Sequence, residues 1–439
     1  MRVLKFGSAS IATAEKMKDV ANIVAKGNNN IIVLSSMRGT AEALTEVSDY
    51  LYKKNQEGAI EIINQLEKQY RGFVQELFLI EKNKIEADKV ITDKFDYIRT
   101  FTKDLFTLFE ERVIMAQSEL LSSELFYLYL CEKNINVALI PALEYMRTDK
   151  NAAPDPIYIK EKLTNLLDTA KAKGADLYVT QGYICRNAYG EIDDLRKGGS
   201  DFTASLVGAA VGAEEVQIWA DVDIMQNNDP RYVKGTKAIR RLNFDEAAEL
   251  AYFGTKILHP SSILPAKLAD IPVCLKNTKC PDAEGTLISN ETEACAIKAV
   301  AAKRNITAIK IKSGKMLLAH GFLRRVMEVF ENYQTSIDML ATSEIGISLT
   351  IDDDRNIQLI LDDLKKYGTV SVDNNMVIIS VIGNLESEDT SFASNILNAV
   401  SGIPIRMISF GGSKYNFSFL IEQKDKEKTL QILNDKLFN

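Results

Sequence analysis

Short apolar runs separated by longer stretches of helical spacing recur along the first half of the chain. Val3 to Gly7 reads as an apolar strand running into a glycine, and Met17, Val20, Ala21 and Val24 follow at the intervals of one helical face. Ile31 to Leu34, Val137 to Ile140, Leu177 to Thr180 and Gln217 to Ala220 are further β-branched or apolar runs. From about Ala41 to Asn134 the chain is rich in Glu, Lys, Leu and Phe, with Leu105, Leu108, Phe109 and Arg112 at helical spacing. Strands alternating with helical segments in this way predict an α/β fold, a mainly parallel sheet sandwiched by helices. A further helix is predicted within Leu242 to His259, opened by Asn243 and Glu246 at capping-box spacing and ended by Gly254.

After roughly Glu293 the alternation quickens and one pattern occurs twice. Ile347 to Asp352 precedes a helix through Ile357, Leu361 and Leu364; Phe417 to Glu422 precedes a helix through Leu430, Leu433 and Leu437. Each copy follows a strand-helix-strand stretch, so two ferredoxin-like modules are predicted, at about 305–375 and 376–439. Their exposed sheet edges are expected to pair with one another or with another subunit. A tandem regulatory unit and a dimerisation domain both fit the repeat.

Composition narrows the function. The 439 residues suit two to four domains, and 46% hydrophobic with 26% charged residues is ordinary for a globular protein. A net charge of −7 argues against a general nucleic-acid or membrane-surface binder, which needs a positive field. Five scattered cysteines and two histidines, His259 and His320, offer no zinc set. No signal-like segment and no apolar run of membrane-spanning length is seen, so a cytoplasmic protein with small-molecule substrates is expected.

Two glycine loops carry the candidate chemistry. Gly198 and Gly199 stand where a helix should start, after Arg196 and Lys197 and before Ser200 and Asp201. Helix-opening N–H groups lack internal partners and the helix dipole favours negative charge there, so this is a phosphate-sized anion site or, alternatively, a well-capped turn. Lys5, Phe6, Gly7 and Ser8 repeat the strand-glycine-helix pattern at the start of the chain. Neither loop matches a Walker A box or a Gly-x-Gly-x-x-Gly fingerprint. Lys5 stands at the C-terminal end of its strand, the edge at which open α/β sheets bind ligands.

Taken together, the stretches Lys5 to Ser10, Gly198 to Ala204, Asp221 to Asp223 with Asp229 to Arg231, and Phe253 to Pro260 resemble the amino acid kinase family, specifically its aspartokinases. The resemblance covers nearly the whole chain, and the repeat resembles paired ACT domains. It implies a catalytic domain over 1–292 and a regulatory region over 293–439. It also implies transfer of phosphoryl from ATP, arriving with Mg2+, to the side-chain carboxylate of L-aspartate, the first step toward lysine, threonine and methionine. A carboxylate with a reference pKa of about 3.9 is already ionised at neutral pH and needs no general base, so two histidines suffice. The reaction needs cationic and N–H stabilisation of the migrating group, for which Lys5 is the first candidate, oriented by Asp201.

By the same resemblance, Glu119 would pair with the substrate ammonium. Lys197, or alternatively Arg196, would hold its α-carboxylate where relatives have arginine, and Ser36, Thr40, Gly198, Gly199 and Ser200 would complete the substrate contacts. Backbone groups of Gly7 and Ser8 would hold phosphate oxygens beside Lys5 and Phe6, while Ala220, Asp221, Gln226, Arg231, Lys256 and Ile257 would serve the nucleotide. Met316, Ala319, Phe322, Leu323, Ser336, Ile337, Asp338, Ser343 and Glu344 resemble an allosteric lysine site between ACT modules of paired subunits. The implied assembly is a homodimer or a dimer of dimers, with lysine, threonine or both as inhibitor.

Overall fold

A computed structural model describes residues 1–103, 105–196, 198–221, 225–254, 258–293, 297–314, 320–385 and 391–438. The chain divides into two compact units, residues 1–224 with 258–290, and residues 225–257 with 291–439. Among the described residues no helix is long and apolar enough to cross a membrane.

In the first unit the parallel strands are buried on both faces, which is why they read as continuous apolar runs. Strands Val137–Leu139, Leu177–Gln181, Asn30–Leu34, Arg2–Phe6, Glu215–Ala220, Val273–Asn277 and Thr286–Ser289 lie side by side in that order, and only the last pairs antiparallel with its neighbour. Lys5 stands opposite Val33 on one side and Ile218 on the other, so the loops after three adjacent strands leave from one edge. The expected helical layer is four helices, Thr40–Tyr52, Gln56–Leu77, Glu81–Thr100 and Leu108–Glu132. Their apolar faces join Phe6, Leu34 and Trp219 in one core.

The second unit contains the predicted capping box: Asn243 accepts from the Glu246 N–H and the Glu246 carboxylate accepts from the Asn243 N–H. The helix it opens is Phe244–Phe253, ending at Gly254 as expected and starting after Leu242 because Arg241–Asn243 is extended. Both repeats are present, but as one six-stranded antiparallel sheet rather than two. Strands Ile297–Lys312 and Thr369–Gly383 are long enough to run through both modules and pair with each other. Helices Phe322–Asn332 and Ile357–Leu364 cover one module, Phe392–Ala399 and Lys426–Leu437 the other.

Gly182, just after strand Leu177–Gln181, lets that strand end meet the helix Gly199–Val211, since a Cβ there would stand 2.3 Å from the Cβ of Ser200. Gly182→Ala is expected to cost about 1–3 kcal/mol by urea midpoint, the usual scale for overpacking. Gly72→Ala, on an exposed helical face where a Cβ meets nothing, is expected to stabilise by ~0.5–1 kcal/mol. Equal effects at the two glycines would contradict the packing account.

Candidate active site

The ammonium of Lys5 lies 2.7 Å from Asp201 Oδ1, with side chains only 12% and 15% exposed. The approach is off the hydrogen-bond direction, so Oδ1 keeps no directed donor among the described residues. A Cβ on Gly7 would stand 3.4 Å from the same Lys5 nitrogen. One cation therefore lies over the first glycine loop while paired to the helix turn that follows the second.

Among the described residues each loop leaves N–H groups unpaired, though not all those expected. Gly7 donates to the Trp219 carbonyl at 3.3 Å, extending the ladder beyond Phe6, so it is not a phosphate donor. Ser8 and Ala9 open the short 3-10 turn Ser8–Ile11 and have no carbonyl behind them within it. In the second loop Gly198 is left-handed at φ 84° and is the N-cap of Gly199–Val211, with no side-chain capping bond. Ser200 and Asp201 thus lie inside the helix instead of capping it. The first helical bond runs from Phe202 N–H to the Gly198 carbonyl, which leaves the amides of Gly199, Ser200 and Asp201 without helical partners.

Glu119 stands mid-helix in Leu108–Glu132, on a buried polar stripe with Gln117, Ser118, Ser122 and Ser123. That stripe ties the helix to strand ends: Ser122 Oγ donates to the Ser35 carbonyl at 2.9 Å, and Gln181 Nε2 to Ser123 Oγ at 2.7 Å. Burial pushes the Glu119 carboxyl up to about 8, against hydrogen bonds from Ser36 and the Lys5 charge that favour ionisation. Its Oε2 has no hydrogen-bond partner among the described residues. Such a carboxyl ionises more readily when a further cation reaches it. Thr40 is also buried, but its hydroxyl shares a 2.8 Å hydrogen bond with Tyr70.

Ala220 and Asp221 leave the sheet edge next to Lys5's strand. Sequence reasoning missed the partner of Asp221: Lys16 Nζ lies 3.1 Å from its Oδ2 and 2.8 Å from the Ala9 carbonyl. The Lys16 hydrogen bond holds Asp221 below the usual carboxylate range. No local signal announced this pair, because 205 residues separate its members. Arg196 is exposed, with its N–H bonded to Asp194.

Other expected residues fall in the second unit. Gln226 bridges to Ala238, and Arg231 is paired with Asp229 at 2.6 Å. Phe322 packs inside one module's core with Ile337 against it, while Leu323, Ser336, Ser343 and Glu344 are exposed. Asp338 Oδ1 takes Lys303 Nζ at 2.6 Å and the Tyr252 hydroxyl at 2.7 Å. Lys197, Lys256, Ile257, Met316 and Ala319 lie outside the described residues.

Comparison with known proteins gives the family. The amino acid kinase family profile matches residues 1–277 and an ACT-domain profile matches residues 379–437. The lysine-sensitive aspartokinase 3 of Escherichia coli is 31% identical, covering 99% of each chain. A crystal structure of E. coli aspartokinase III with lysine and aspartate (T-state) superposes over 100% of both chains at 30% identity and a TM-score of 0.85. The same enzyme with aspartate and ADP (R-state) gives 0.81, also over both full chains at 30% identity. The chain belongs to the amino acid kinase family and carries ACT structure behind its kinase part. Within that family it is an aspartate kinase.

Because Glu119 is raised, the folded chain retains a proton there that the unfolded chain releases near the ordinary carboxylate value, so its contribution to stability falls as pH rises from about 4.5 toward 8. Glu119→Gln keeps the neutral shape at every pH. It is expected to exceed the parent by ~1–3 kcal/mol at pH 8, narrowing toward pH 5, in urea melts. A difference that does not change with pH would contradict the burial of an ionising group.

Proposed function

We propose that ATP binds with its terminal phosphates between the two glycine loops and that the ionised side chain of L-aspartate attacks the γ-phosphorus. The observation that carries this reading is the placement of Lys5 between Asp201 and the backbone of Gly7. Phosphoryl transfer is chiefly positioning and charge stabilisation, and a lysine ammonium flanked by amides without partners among the described residues supplies both. Asp201 holds that ammonium in place. The amides of Ser8, Ala9, Gly199 and Ser200 take phosphate oxygens. Glu119 binds the α-ammonium of aspartate, giving up its proton as the new cation offsets burial, with Ser36 beside it.

Lys197, or Arg196, grips the α-carboxylate, and Ala220, Asp221, Gln226, Arg231, Lys256 and Ile257 serve the nucleotide. Among the described residues no cluster of three acidic, histidine or cysteine side chains stands ready for a metal. Mg2+ would arrive on the phosphates and their waters, where it would neutralise charge. Residues 1–292 form the catalytic part and 293–439 the regulatory part. Lysine is the feedback inhibitor, held between ACT modules of two subunits, and it acts by favouring an inactive arrangement with weaker substrate affinity. Aspartate and lysine bound to the E. coli relative support this assignment.

Hydroxylamine trapping of the acyl phosphate, with ATP and either aspartate, glutamate or acetylglutamate, tests the reading. Signal is expected with aspartate alone, reduced by saturating lysine and reduced by about 10²–10³-fold or more in Lys5→Met. Retained turnover in Lys5→Met would remove its role; an unchanged aspartate response under saturating lysine would remove the inhibitor.

A further inference from the structure

Arg112 lies on the helix Leu108–Glu132 seven residues before Glu119, two turns and about 10 Å along the same face. Its Nη1 stands 3.1 Å from Asp193 Oδ2, with the side chains 21% and 7% exposed. Asp193 belongs to a small hairpin apart from the main sheet, strand Ile184–Arg186 paired with Ile192–Asp194. Neither residue has a role in the site described above. A carboxylate as buried as Asp193 depends on its charge partner, since removal of that partner leaves it desolvated and unpaired.

A line of polar contacts runs on from this pair into the second glycine loop. Asp193 Oδ1 accepts the Asp194 N–H at 2.8 Å, and Asp194 Oδ1 accepts the Arg196 N–H at 2.7 Å. Arg196 is left-handed at φ 53°, and two residues later Gly198 is the N-cap of Gly199–Val211. At the base of the hairpin Tyr183 is left-handed too, at φ 66°, a conformation costly for a bulky side chain that persists only where the surroundings over-determine it. Two bonds do so: its carbonyl accepts the Leu195 N–H at 2.9 Å, and its N–H donates to Thr203 Oγ1 at 2.8 Å. The hairpin is clamped from two sides, by the helix that carries Glu119 and by the helix that the second loop opens.

We propose that Arg112 is a positioning residue for the amino-acid substrate. Through Asp193 it fixes the loop before Gly198 at a set distance from Glu119, so that the α-ammonium and the α-carboxylate of aspartate are gripped together. The inference rests on the roles proposed above for Glu119 and for that loop. The Lys5 to Asp201 pair holds the helix start independently, so the phosphate-binding amides keep their place when Arg112 is lost.

Initial rates of the full chain by hydroxamate formation, with aspartate and ATP varied in turn, test it. In Arg112→Gln and in Asp193→Asn the aspartate KM is expected to rise ~10-fold, within the cost of misplacing a binding group, with kcat and the ATP KM within about twofold of the parent. The double variant is expected to match either single one, since the two side chains act through one contact. Arg112→Lys keeps the charge without the planar fork and should raise the aspartate KM by about threefold. Lys94→Gln is the control: its 2.7 Å pair with Glu124, 21% and 23% exposed, braces the same helix elsewhere, so its loss should lower the melting temperature and leave the aspartate KM unchanged. Where thermal melts show that the neutral variants do not fold, the Arg112→Lys shift decides. An aspartate KM that stays at the parent value in the folded variants overturns the proposal, as does an equal rise in Lys94→Gln or in the ATP KM. A parent without saturable aspartate turnover overturns the proposed function and this inference together; a parent with it and unshifted variants overturns the inference alone.

Discussion

A lysine one residue from the end of a buried parallel strand must find an acceptor, and Asp201 provides one at 2.7 Å from the first turn of Gly199–Val211. That pair fixes where the second glycine loop stands relative to the first. Without it the ammonium would sit largely desolvated over Gly7, and the helix start would lose its tie to the sheet edge. The glycines are consequences of the same constraint: Gly182 and Gly198 have no Cβ because Ser200 and Ser262 occupy the space a Cβ would need.

Glu119 shows the same logic in opposite charge. A carboxyl raised to about 8 inside a helical layer is a stability cost that structure alone does not repay. In the proposed reading, an arriving substrate ammonium would offset it. Lys16, joined to Ala9 and Asp221, ties the first loop to the end of strand Glu215–Ala220. Two ion pairs, Lys5 with Asp201 and Lys16 with Asp221, thus brace one sheet edge from distant parts of the chain.

Much of this was legible in the sequence where the determinants are local. The strand runs around Ile31, Leu177 and Gln217, the Asn243 and Glu246 capping box, and the two glycine loops all depend on neighbours within a few residues. What escaped depends on contacts between remote segments. The ladder bond that removes Gly7 N–H as a donor requires knowing that Phe6 pairs with Trp219. Thr40 was named among the substrate contacts by resemblance, and nothing nearby in sequence reveals Tyr70 as the partner of its hydroxyl. The repeat was visible, but not that Ile297–Lys312 and Thr369–Gly383 pair with each other to make one sheet of both copies. Asp338 was recognisable as an acceptor for an ammonium, while its occupation by Lys303 and Tyr252 was not.

The most direct measurement is a crystal structure of the full chain with ADP, magnesium, aspartate and an aluminium fluoride mimic of the migrating phosphoryl group. The mimic is expected within hydrogen-bond reach of Lys5 Nζ and of the amides that open Ser8–Ile11 and Gly199–Val211, with the Lys5 to Asp201 pair intact. A mimic bound away from that ammonium, or one reached by only one of the two turns, would contradict the account.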